Sequence, residues 1–209
     1  MADGYVTFDE FVDVESSLLA LNVALAQLPS NPLFWKSVIL NTHSALQGAC
    51  VCLLTKSHGG GALTEKNEKQ NLAYLNQKSD ITVAEAQNQQ PPKSLPYPPT
   101  MLQNLPGLLR RLPPPLTINI PKTSEEYEKS EDALAKDLFR LHEFRTGFSH
   151  FPALSWSIEL AGLPRIVEKS LIQTQSIAES SQYTRVNRFR DMQVSSLILD
   201  ATKALSMLR

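Results

Sequence analysis

Arg145 and His150, five positions apart near the end of a long helical pattern, are the side chains best suited to chemistry in this sequence. Stepping around that helix at about 100° per residue from Leu134 puts Leu138, Leu141 and Phe148 within about 40° of it, and Arg145 at about 20°, inside the apolar stripe. A guanidinium is charged at any relevant pH, so on such a face it must reach a carboxylate, a phosphate or water. His150 would point nearly opposite Arg145 if the helix continued, but Gly147 weakens the last turn and Pro152 drives Phe151 out of the α region, which predicts that the backbone turns near His150 and lets the imidazole approach the guanidinium. A histidine titrating near neutrality can take up or release a proton while a fixed cation stabilises charge developing on phosphorus. The pair therefore suits phosphodiester chemistry with no metal and no cofactor. The same residues also admit a structural reading, in which Arg145 pairs with a buried carboxylate and His150 caps the helix C-terminus.

Other polar residues point less directly to function. His58 with Gly59, Gly60 and Gly61 lacks the Gly-Lys-Ser/Thr sequence of a phosphate loop and reads as an interhelical connection. His43 lies beside an apolar stripe and reads as a satisfied core or boundary histidine, while His142 and Glu143 lack a third ligand at metal spacing. Arg185, Arg188 and Arg190, with Asp191 among them, form either a weaker RNA-backbone patch or an ordinary solvated face. Cys50 and Cys52, two apart on a helix, point to different sides and read as small core residues in a reducing compartment.

The elements that must position these residues read as helices. Phe11, Val14, Leu18, Leu21, Leu25 and Leu28 recur at helical spacing over residues 9 to 28, and Pro29 ends the run. A second helix starts near Pro32 and carries Trp35, Val38, Ile39, Leu46, Ala49, Cys50 and Leu53 to the glycine run, which predicts an antiparallel hairpin. Thr64 to Gln77 is a further helix with little to anchor it. Ten of the 14 prolines fall between Pro91 and Pro121, so residues 89 to 122 should be an irregular crossover, with Met101 to Leu112 able to make a short helix; display of an SH3-type ligand is the alternative use of this segment. Thr123, Ser124, Glu125 and Glu126 form a capping box that opens a helix running through Tyr127, Leu134, Leu138 and Leu141 to His150. Ser155 can cap another through Trp156, Ile158 and Leu160, which Pro164 begins anew or kinks and which continues to about Ser180. The last helix spans Arg185 to Leu208. The expectation is a single all-α domain over residues 1 to 209, an up-and-down bundle of five or six helices with a proline-rich insertion.

A chain of 209 residues with 42% apolar and 20% charged residues is long and hydrophobic enough to bury a core. The net charge of -1 gives no general basis for nucleic-acid binding, although residues 140 to 209 carry nine Lys/Arg against six Asp/Glu. Asp3, Asp9, Glu10, Asp13 and Glu15 crowd the place where the basic start of a secretory signal would sit. The apolar stretch from Leu33 to Leu54 is interrupted by Lys36, Asn41, His43 and Gln47, which favours a core helix over a membrane span and predicts a cytoplasmic location.

Phe144, Arg145, Thr146, Gly147, Phe148, Ser149 and His150, followed by Phe151, Pro152 and then Trp156, Ser157, Ile158 and Glu159, resemble the signature of the HEPN superfamily. These are helical-bundle domains with an Arg, four to six residues, then His motif at the end of a late core helix, and the resemblance covers about residues 138 to 170. It implies metal-independent RNA cleavage with the ribose 2′-hydroxyl as nucleophile, carried out by two motifs facing each other across a homodimer. Arg145 would stabilise the phosphate and His150 would act as base or acid. Thr146 departs from the Asn, Asp or His common after the arginine in active members; threonine exchanges hydrogen bonds but is no strong base. The implied protein is an endoribonuclease of the toxin or defence type, with RNA and an antitoxin or other protein as partners. The rival reading is a non-catalytic module of the same fold that dimerises or holds a nucleotide or a partner.

Overall fold

In a computed structural model, the structure describes residues 7–55, 60–87, 96, 98, 100–150, 157–180, 188, 189 and 191–208, with Glu85 and His150 described in their backbone alone. Among these residues there are eight α-helices and no strand: α1 (Glu10–Gln27), α2 (Trp35–Leu54), α3 (Glu65–Ala86), α4 (Leu105–Arg111), α5 (Ser124–Lys129), α6 (Ala133–His150), α7 (Leu163–Ala178) and α8 (Val194–Ser206). The all-α bundle expected from the sequence is the fold observed.

The chain forms two compact units. The smaller, Leu54–Asn104, is built on α3, whose start is clamped by one antiparallel bridge between Leu63 and Leu102. Thr64 N–H donates to the Met101 carbonyl at 3.0 Å and Gln103 N–H to that of Ala62 at 2.9 Å. Gly61 precedes this bridge at φ 94°, a left-handed conformation that a side chain would strain. α3 runs nine residues beyond the expected Gln77, because residues 78 to 86 contain no breaker and Ala84 adds a buried anchor.

The larger unit, Met1–Leu53 with Leu105–Arg209, holds the bundle. Asp9 caps α1 by accepting from the N–H groups of Phe11 and Val12, and Phe11, Val14, Leu18, Leu21 and Leu25 are all buried. α1 packs on α8, α8 on α7 and α7 on α6, while α4 also lies on α6. Two features join α2 to α1: Gly48 lies against Val14, and the Cys52 thiol donates to the Glu10 carbonyl at 3.4 Å. Both cysteines are buried thiols outside any disulfide, and burial pushes the Cys50 thiol well above its ordinary range. Pro32–Leu54 is long and apolar enough to cross a membrane by length and composition, and half of its most apolar window is buried inside the fold.

Several boundaries differ from the expectation. The helix expected from Thr123 to His150 is two helices. The Thr123 hydroxyl accepts from Glu126 N–H at 3.2 Å, as a cap should, but Ser130 is extended (ψ 133°) and Asp132 starts α6 afresh by accepting from Leu134 and Ala135 N–H at 2.9 and 3.0 Å. Ser157 to Gly162 are not helical; Ser155 and Trp156 lie outside the described residues, and α7 starts at Leu163 with Pro164 in its first turn. α8 begins at Val194 and not at Arg185, because Met192 N–H turns back to the Phe189 carbonyl at 3.2 Å. The described end of the proline-rich segment belongs to the core through Leu105, Leu108, Leu109, Leu112, Ile118 and Ile120, with Pro106 in the first turn of α4. Gln173 on α7 holds it by donating to the Leu116 carbonyl at 3.2 Å.

Gly48 provides a test of this packing. Alanine is worth about 1 kcal/mol over glycine inside a helix, yet a Cβ there would meet Val14 Cγ2 at 2.7 Å. Val14 is fully buried and β-branched, so it cannot turn aside. Overpacking of this kind costs about 1–3 kcal/mol. Urea unfolding should show Gly48→Ala destabilised by about 1 kcal/mol or more, and neutral or stabilising when Val14→Ala is also present. A gain in stability from Gly48→Ala alone would contradict the close approach.

Candidate functional site

α6 positions the motif. Its N-terminal half is anchored by Ala135, Leu138 and Leu141, each fully buried, and the face they define grows wetter toward the C-terminus. His142, Arg145, Thr146 and Phe148 are half-buried there, and His150 is the last residue of the helix. Arg145 thus lies on the core-facing side where the sequence pattern puts it, one turn beyond the last fully buried leucine. The side chain of His150 lies outside the described residues, as do His58, Arg185 and Arg190.

The structural alternative for Arg145 required a buried carboxylate. Asp137 is the one buried carboxylate among the described residues, at 2% exposure, and Arg165 on α7 donates to it through Nη2 at 2.8 Å. Burial raises the Asp137 pKa, while the charges of Arg165, Arg140 and Lys169 oppose that rise. It lies eight residues before Arg145, about 12 Å along the helix. No described residue forms an ion pair with Arg145.

What α6 does bring to Arg145 is a pair of histidines that the sequence pattern did not single out together. His43, on α2 and 2% exposed, meets His142 on α6, with Nε2 3.2 Å from Nδ1 and ring centroids 5.5 Å apart at 24°. The distance suits one hydrogen bond between the two nitrogens, with either ring as donor according to its tautomer. Farther along, Lys36 on α2 stands 5.8 Å from the Phe148 ring, so the two helices run past each other in opposite directions. Burial, then His142 and Arg145, lower the His43 pKa to about 3; burial and then Arg145 lower that of His142. Both rings are therefore neutral near pH 7, and Arg145 is the fixed charge of the group. The signal available in the sequence was one-sided: His142 and Arg145 are three apart on one helix face, but nothing local reveals that His43 comes to meet them.

Arg188, the described member of the expected arginine patch, pairs with Asp9 at 2.6 Å and stands 4.9 Å from the Phe11 ring, while Phe189 packs on Phe11 at 5.0 Å. These contacts tie the start of the last segment to the N-terminus of α1. The Asp9 pKa is lowered, first by the Val12 N–H and also by Arg188. No group of three or more metal-ligating side chains occurs among the described residues. A cleft of about 760 Å³ lies elsewhere on this unit, lined by Leu28, Trp35, Leu160, Ala161, Pro164, Arg165 and Leu208, and includes neither Arg145 nor Thr146.

No protein-family profile, curated protein or solved structure matches the chain.

The neutral histidine pair makes the fold sensitive to acid. The native His43 pKa lies below the unfolded value of 6.5, so between about 3 and 6.5 the unfolded chain binds more protons, and stability falls as pH drops through that window. Between pH 7 and pH 5 the wild type should lose about 2 kcal/mol more than His43→Gln in urea unfolding. Parallel losses in the two proteins would show that His43 is not held neutral.

Proposed function

We propose that this chain is a HEPN-like RNA-binding domain that cleaves RNA without metal, with Arg145 holding the scissile phosphate and His150 transferring the proton. The observation that carries this reading is a half-buried cation on the core-facing side of α6 for which no described carboxylate is a partner, the one buried carboxylate being taken by Arg165. A cation so placed is suited to an oxyanion brought by a ligand. The motif from Phe144 to His150 agrees with it in residue types and in its place at the end of a late helix.

In the reaction His150 takes the proton of a ribose 2′-hydroxyl as that oxygen bonds to phosphorus. The bond from phosphorus to the 5′-oxygen breaks, leaving a 2′,3′-cyclic phosphate and a 5′-hydroxyl that receives a proton. Arg145 stabilises the added negative charge, and Thr146, half-buried beside it, can hold a phosphate oxygen by hydrogen bonding but supplies no base. A homodimer would bring two motifs together, and a partner protein that covers the end of α6 would silence them.

Incubating the purified chain with single-stranded RNAs in EDTA should give fragments ending in 2′,3′-cyclic phosphate. Arg145→Ala and His150→Ala should each slow cleavage by about 100-fold or more. Equal behaviour of the three proteins would remove the nuclease. RNA retained by the wild type and lost by Arg145→Ala, with no cleavage by either, would leave the non-catalytic binding module instead.

A further inference from the structure

We propose that Arg145, His142 and His43 form a single oxyanion site in which His142 takes up a proton when a phosphate group of an RNA backbone binds. The inference rests on the reading that Arg145 faces phosphate, and adds to it a second imidazole and a direction of proton flow.

The geometry is that of a relay with one open end. His142 and Arg145 are three residues apart, hence neighbours on one face of α6. Both are half-buried, so each keeps part of its side chain toward solvent. The Nδ1 of His142 faces His43 Nε2 at 3.2 Å, which leaves Nε2 as the ring nitrogen for a ligand. The neutral pair holds one proton on each ring. A third proton, drawn from solvent, makes His142 an imidazolium that donates from Nδ1 to His43 Nε2 and from Nε2 to a phosphate oxygen, with the His43 proton on Nδ1.

Without a ligand this state is disfavoured, because the ring is partly removed from water and stands beside the Arg145 cation. A bound phosphate reverses both effects: it offsets the guanidinium charge and gives the imidazolium an acceptor. The other charged groups on elements packed against α6 do not take this role. Arg165 and Lys169 on α7, with Arg140 on α6 itself, act on Asp137. Lys36 on α2 stands over Phe148, Arg110 and Arg111 lie on α4, and Glu143 is exposed on α6. Arg145 is the charge that reaches His142, and His43 the titratable group that touches it. The site therefore binds phosphate more tightly as pH falls, and holds a proton donor beside the phosphate once it is bound.

The test uses the whole chain and a 2′-O-methyl oligoribonucleotide, which binds as RNA does but cannot undergo attack by its own 2′-oxygen. Ring C–H NMR signals of the histidines are titrated with pH, with and without the oligonucleotide, and affinity is measured in parallel. The proton affinity of His142 should rise about tenfold or more on binding, and the oligonucleotide should bind more tightly toward acid pH, a trend lost in His142→Gln. Inorganic sulfate, which does not titrate in this range, should reproduce the His142 shift if the site recognises the bare oxyanion; a shift with the oligonucleotide alone assigns it to the extended backbone. Binding that survives Arg145→Ala unchanged would overturn the function proposed above. Binding that depends on Arg145 while His142 keeps its titration and affinity stays flat with pH would overturn this inference alone. The NMR measurement on the wild type decides even where a histidine variant fails to fold.

Discussion

A permanent positive charge on the core-facing side of a helix is the constraint around which this site is arranged. Removing a guanidinium from water is costly unless something answers its charge, and the fold spends its one described buried carboxylate, Asp137, on Arg165. Among the described residues Arg145 has no ion-pair partner, and its charge acts on the imidazoles of His43 and His142. Each ring is kept neutral in part by that cation, so charge and protonation in this cluster are linked.

The bundle sustains this by anchoring α6 at its other end. Asp132 caps it, Ala135, Leu138 and Leu141 bury it, and the Asp137–Arg165 pair fixes it to α7 two turns before Arg145. α2 approaches from the other side and contributes His43 and Lys36. The motif is carried at the end of a well-held rod, where side chains can meet solvent without loosening the core.

Local pattern revealed what depends on local pattern. The apolar periodicity of residues 9 to 28, Pro32 at the head of the second helix, Pro164 in the first turn of α7 and the position of Arg145 on the inner side of α6 all follow from residues within a few turns of each other. The break between α5 and α6 was hidden because the capping box at Thr123 is real, and only the rival cap at Asp132 shows that the first helix yields after Lys129. The His43–His142 contact joins residues 99 apart, and no spacing rule reports it. His43 was legible as a core histidine, which it is, but its partner was not. Asp137 likewise gave no local sign that it would serve Arg165, 28 residues on.

Under the proposed function Arg145, which has no ion-pair partner among the described residues, is a cation turned toward a ligand. The most direct measurement follows the Nε–H NMR signal of Arg145 while a single-stranded oligoribonucleotide is added at low and at high salt. The account predicts a saturable shift of that signal, weakened by salt, as the phosphate backbone docks. A signal that stays fixed while RNA binds, or that already shows a bond to a carboxylate in the free protein, would contradict it.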